Sequence, residues 1–171
     1  MRYFSNSEKG KVELILTNNA KAGVIERAAR YKIQCFVFNK NDFYQSETIL
    51  KLLQENKIDL VVLAGFLWLV PEYLINAFPN QIINIHPALL PGFGGKGLYG
   101  KKVHQAVMDS RERMSGITIH YVNNQFDDGE IIFQAACHVS RQDTPDSLAL
   151  KIHELEYRYF PVVIEKILSN V

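Results

Sequence analysis

The sequence predicts an α/β fold, a mostly parallel sheet flanked by helices, on three observations. Short apolar runs rich in β-branched residues recur between turn residues, at 12–16, 33–37, 60–64 and 82–85. Segments with one apolar face at helical spacing lie between them. The third run, Leu60-Val61-Val62-Leu63-Ala64, is apolar throughout, as a strand covered on both faces by helices must be. Strands alternating with helices at this spacing read as parallel strands joined by right-handed crossovers.

Each element has its own local reason. Residues 20–30 follow the polar Thr17-Asn18-Asn19 and read as a helix. Ser46 is the predicted N-cap of a helix that places Ile49, Leu52 and Leu53 on one face. Pro71 fits the first position of a short helix through about Ala77, where its missing N–H costs nothing. After residue 100 the pattern changes. Residues 102–109 read as a helix, then 117–122 and 131–135 alternate as two strands across Asp127-Asp128-Gly129, flanking a loop rather than extending a βαβ series. Thr144-Pro145 opens a helix carrying Leu148, Ile152 and Leu155, and Pro161 is expected to break or kink it before 162–168 continue. The start, Met1-Arg2-Tyr3-Phe4-Ser5, resembles the end of a helix, and no strand signal precedes Val12.

Composition bounds the function. Of 171 residues, 47% are hydrophobic and 22% charged, enough apolar material for a real core in a single domain spanning 1–171. Lys plus Arg at 19 against Asp plus Glu at 18 leaves a net charge of +1 and no electrostatic case for a nucleic-acid partner. Cys35 and Cys137 stand alone, so neither a disulfide framework nor a metal site is indicated. No apolar run is long enough to span a bilayer, and a soluble, cytoplasmic domain with no membrane partner is expected.

Three stretches carry chemistry. In Asn84-Ile85-His86-Pro87-Ala88-Leu89-Leu90-Pro91, Asn84 lies at the C-terminal end of a predicted parallel strand, where open α/β sheets bind ligands. Two residues on, His86 projects from the same side. An amide donor beside an imidazole is the pair that stabilises a developing oxyanion and moves a proton. The second stretch runs from Gly116 through His120 to Asp127-Asp128-Gly129. Alone it reads as a hairpin turn; functionally, a carboxylate near His86 would orient the ring and favour its imidazolium form. In the third, Leu67, Trp68, Leu69 and Val70 read first as core and second as one wall of a slot for a flat heterocycle. The remaining histidines, His104, His138 and His153, have no partners at telling spacing.

Together these stretches resemble the folate-dependent formyltransferase family, and within it the branch that formylates glycinamide ribonucleotide in purine biosynthesis. The resemblance covers nearly the whole chain in order, and the Asn-x-His-Pro-x-Leu-Leu-Pro block followed by the Asp loop is highly specific as a pair. It implies a Rossmann-like formyltransferase fold and 10-formyltetrahydrofolate as co-substrate, with no metal. It further implies that Asn84 and His86 are catalytic and that Asp127 tunes the histidine. Leu67, Trp68, Leu69 and Val70 would contact the pterin, Glu156 would lie near the glycinamide amine, and His120 would support the site. The family's opening strand and its Gly-rich phosphate loop do not occur in this sequence, so the single domain reads as N-terminally truncated. The edge exposed where that strand belongs leaves homo-oligomerisation open. The loop after Pro91, with five glycines among residues 92–100, is longer than the commonest family version and reads as a flap.

Rival readings are a related formyltransferase acting on methionyl-tRNA or a sugar nucleotide, and an inactive folate-binding remnant. A generic dinucleotide binder is disfavoured, since no GxGxxG follows any strand.

Overall fold

The computed structural model describes residues 1–170 and divides into two compact units, one formed by 1–59 with the chain's last residues from Glu165, the other by Leu60–Ile164. Among the described residues no helix is long and apolar enough to cross a membrane.

The first unit holds β1 (Leu14–Thr17) and β2 (Gln34–Val37), paired in parallel, with α1 (Val24–Arg30) between them in the chain. Two short helices follow, α2 (Lys40–Tyr44) and α3 (Thr48–Glu55). Helix α2 is absent from the expectation, although its start is written locally. Asn39 Oδ1 accepts the amides of Asn41 and Asp42 while Asp42 returns a carboxylate to the Asn39 amide, a complete capping box. Ser46 is not the N-cap of α3; Glu47 is, and the Ser46 hydroxyl donates instead to the Asp42 carbonyl within α2. The expected helix from residue 20 begins only at Val24, because Ala22 and Ile25 first close turns on Asn19 and Ala22. Met1–Ser5 forms a turn closed by Ser5 N–H on the Met1 carbonyl.

The second unit is a four-stranded sheet of order β3-β4-β5-β6, formed by Val61–Ala64, Ile82–His86, Met114–Tyr121 and Ile131–His138. β3 and β4 are parallel, joined through α4 (Glu72–Ala77); β4, β5 and β6 are antiparallel. Thus the mostly parallel expectation holds for β1–β2 and β3–β4, and the change of character seen after residue 100 is the switch to antiparallel pairing. Pro71 is the N-cap of α4 and not its first helical residue, its ψ of 149° still extended. Helix α5 (Lys101–Asp109) precedes β5, and α6 (Pro145–Leu168) closes the chain. Pro161 does not break α6. A proline deletes one hydrogen bond in a helix interior, and here burial of Leu148 and Ile152 before it and Val163 and Ile164 after it keeps the rod continuous.

What positions the site is the alternation along β4 and β5. Cross-strand partners share a face, as do residues two apart. Ile85 pairs with Ile119, and with Ile83 and Ile117 they form a buried apolar face. Asn84 pairs with His120 and His86 with Thr118, which gathers four polar side chains on the opposite face. Three of them, His86, Thr118 and His120, are buried.

Candidate active site

Asn84 comes from the middle and His86 from the C-terminal end of β4, His120 from β5, and Asp127 from the loop between β5 and β6. Asp127 adopts a left-handed φ of 53°, a conformation that a short side chain able to bond its own surroundings tolerates better than most. Two residues on, Gly129 passes so close to the Tyr121 carbonyl that a Cβ would collide with it. The loop is therefore pressed onto the end of β5, and its aspartate is delivered to the polar face.

There the Asp127 carboxylate is the hub. Its Oδ1 lies 3.4 Å from His86 Nδ1, 3.4 Å from Asn84 Nδ2 and 3.7 Å from His120 Nε2. Its Oδ2 accepts the Gly95 amide at 3.0 Å. Burial opposes the charged carboxylate, but the His120 and His86 side chains around it and the Gly95 amide prevail and hold its pKa well below the ordinary carboxylate value. It is ionised throughout the neutral range.

The neighbouring rings are fixed by what each nitrogen meets. His120 Nδ1 faces its neighbour's Tyr121 carbonyl at 2.8 Å, which assigns that nitrogen as the donor and leaves Nε2 to accept the Asn84 amide at 3.1 Å. His86 meets an acceptor at both nitrogens, the Asp127 carboxylate at Nδ1 and the Phe93 carbonyl, 2.8 Å away, at Nε2. Only the doubly protonated ring donates to both. An N–H of His86 and an N–H of Asn84 thus lie beside one partly buried carboxylate. This set can stabilise negative charge developing on a carbonyl oxygen.

The loop over 92–100 covers this cluster. Phe93, at φ 57°, turns its carbonyl to His86, and Gly95, at φ 98°, turns its amide to Asp127. Gly94 between them has no space for a side chain, since a Cβ would lie 2.5 Å from Leu90 Cδ2 and 3.1 Å from Asp127 Cβ. The expected flap is here a cover fastened to both catalytic candidates by main-chain groups.

Asn84, His86, His120 and Asp127 are therefore brought together as the sequence suggests. The other candidates lie on other segments of the chain. Val70 is buried, Trp68 and Leu69 are partly covered, and Leu67 is half exposed, in an irregular segment after β3 where the Phe66 and Trp68 rings lie 6.0 Å apart. Glu156, on α6, accepts from His153 Nδ1 at 2.8 Å. His104, on α5, is buried, and its Nδ1 has no hydrogen-bond partner among the described residues. Burial first, then the charges of His153 and His86, push its pKa down. Among the described residues no group of His, Cys, Asp and Glu is arranged to hold a metal ion.

Sequence reasoning missed Thr118, Gln134 and the main-chain groups of Phe93 and Gly95. For Thr118 a signal existed: it alternates with Ile117 and Ile119 in phase with His120.

Comparison with known proteins places the chain in a family. Residues 1–164 match the family model described as formyl transferase. The chain is 44% identical over 163 residues to a chloroplastic phosphoribosylglycinamide formyltransferase of Arabidopsis thaliana, covering 92% of this chain and 56% of that protein. It is 36% identical over 162 residues to the phosphoribosylglycinamide formyltransferase of Bacillus subtilis, covering 91% of this chain and 80% of that one. The crystal structure of the phosphoribosylglycinamide formyltransferase of Anaplasma phagocytophilum superposes with a TM-score of 0.89 at 35% identity, covering 99% of this chain and 78% of that chain. The chain thus spans just over half the length of its Arabidopsis relative.

Proposed function

This chain belongs to the formyl transferase family, and from that membership we propose that it transfers a formyl group from 10-formyltetrahydrofolate to the amine of glycinamide ribonucleotide. The observation that carries the reading is the convergence of His86 Nδ1 and Asn84 Nδ2 on one oxygen of a partly buried, ionised Asp127.

The folate co-substrate supplies the formyl carbon in activated form; the chain supplies the electrostatics. His86 donates from Nε2 to the formyl oxygen, in the place the Phe93 carbonyl takes in this structure. Asn84 adds the amide N–H that in this structure faces Asp127 Oδ1, its other one held by His120 Nε2. Asp127 keeps its charge and grips His86 Nδ1, so the ring is oriented and its positive form is compensated. These donors act most strongly on the charge that develops as the amine attacks, which makes the effect catalytic and not merely adhesive.

The folate fits the segment after β3. Leu67 exposes half its surface there, and nothing lies within 4 Å of where a Cβ on Gly65 would sit, which supports room for a flat ring beside apolar surface. Leu67, Trp68, Leu69 and Val70 would hold the pterin, and Glu156 would face the glycinamide amine. The near-neutral net charge suits small-molecule substrates in a cytoplasmic setting better than a nucleic acid.

The test is release of tetrahydrofolate from 10-formyltetrahydrofolate, with glycinamide ribonucleotide, methionyl-tRNA and an amino-sugar nucleotide offered in parallel. Release with the first alone is the expected result. Release only with another amine, or with none, overturns the reading.

A further inference from the structure

We propose that Thr118 is a positioning residue for His86 and Asp127, acting through the turn at residues 88–90. The part that concerns turnover rests on the formyl-transfer reading above; the part that concerns geometry does not.

The hydroxyl of Thr118 is fully buried, and its whole hydrogen-bonding capacity is used on or beside that turn. It donates to the Ala88 carbonyl at 2.7 Å and accepts the Leu90 amide at 3.0 Å. Its second lone pair accepts Gln134 Nε2 at 2.9 Å, and the same amide nitrogen donates to the Leu90 carbonyl at 3.0 Å. His86, Thr118 and Gln134 are consecutive cross-strand partners on β4, β5 and β6. The brace and the catalytic candidate therefore stand in one row across the sheet.

The chain leaves that row at His86 and returns to it at Phe93, whose carbonyl meets His86 Nε2. This circuit is closed at His86 and stitched at its middle by Thr118. Beyond the stitch, Leu90 reaches the cover over the site, its Cδ2 filling the space that a side chain on Gly94 would need. The next residue, Gly95, donates to Asp127. Leu89 is seated similarly, against Gly116 of β5, where a Cβ would come 2.7 Å from its Cδ2. Moving the 88–90 turn thus moves both main-chain groups that touch the catalytic pair, although Thr118 itself touches neither side chain.

The experiment compares Thr118→Val, which keeps shape and deletes the hydroxyl, with Thr118→Ser, which keeps the hydroxyl. Two readouts are taken on the full chain: hydrogen exchange of the Gly95 amide, and kcat against KM for formyl transfer. In Thr118→Val the Gly95 amide is expected to exchange at least about tenfold faster, and kcat to fall about tenfold to a hundredfold with little change in KM, the size of effect that follows from misplacing a reacting group by about an ångström. Thr118→Ser is expected to restore both. Should Thr118→Val fail to fold, Gln134→Leu decides, since it removes only the exposed end of the brace; a smaller loosening of Gly95 in the same direction is expected. A Thr118→Val or Gln134→Leu protein that loses melting temperature while Gly95 exchange and kcat match the parent would overturn the proposal, leaving Thr118 a stabilising residue only. Faster Gly95 exchange in a chain whose parent transfers no formyl group supports the positioning role and sinks the formyl-transfer reading instead.

Discussion

The two faces of the β4–β5 ladder are equally hidden from water but are held by different physics. One face presents Ile83, Ile85, Ile117 and Ile119, each 7% exposed or less. The other presents His86, Thr118 and His120, each 3% exposed or less, beside Asn84. The isoleucine face is stabilised by apolar area and close packing, so any methylene removed is felt in stability. The polar face gains little from burial and must satisfy each donor and acceptor, so its integrity depends on specific partners. A core that carries chemistry on one side needs the other side to be purely apolar, which is what the two-residue period provides.

The contrast is broken most severely on the isoleucine side. Ile119→Ala is expected to cost about 2–5 kcal/mol of unfolding free energy, read by denaturant unfolding, while leaving the pH dependence of stability in place. On the polar side the order reverses. His86→Ala is expected to lose about 2.7–4 kcal/mol of transition-state stabilisation, the toll of one oxyanion donor, with folate binding mostly retained by equilibrium titration.

Asp127→Asn sharpens the comparison, because it changes charge without changing shape. Formyl transfer is expected to fall about a hundredfold, within the range for groups that support proton movement. Its effect on stability follows from linkage. The folded-state pKa of Asp127 lies below its unfolded value, so the unfolded chain binds more protons and the stabilisation is present above the unfolded pKa. It is lost as pH falls from about 5 downward. Melting temperature measured across that window should decline less steeply in Asp127→Asn than in the parent.

The smallest effect is expected at His104. Burial, reinforced by His153 and His86, lowers its pKa in the folded state. Stability from keeping it neutral is therefore full above about pH 6.5 and declines below that value, as the unfolded chain takes up the proton. His104→Gln should flatten this part of the melting profile, between about pH 7 and 5, and leave the Asp127 limb at lower pH untouched.

Much of this was legible in the residues. Strand positions followed from β-branched runs, and the site's Asn84 and His86 followed from their two-residue spacing at a strand end. Asp127 was found by its turn residues together with the family pattern, since spacing alone could not show that it meets His86 across 41 positions of chain. The partners that were not legible act through main-chain atoms. The Phe93 carbonyl and the Gly95 amide carry no side-chain signature, and only the loop's path decides where they point. Thr118 lay in plain alternation with His120 but reads as an ordinary strand residue until its bonds to Ala88 and Leu90 are known. Pro161 misled for the opposite reason, a strong local rule overridden by burial on both sides of it.

The central claim is that His86 and Asp127 work as one unit on a single oxygen. A double-mutant cycle in formyl transfer addresses it most directly, comparing His86→Ala, Asp127→Asn and the combination. If the carboxylate acts through the imidazole, the double variant turns over no more slowly than His86→Ala alone. Losses that multiply fully would mean the two side chains act independently, and would contradict the account.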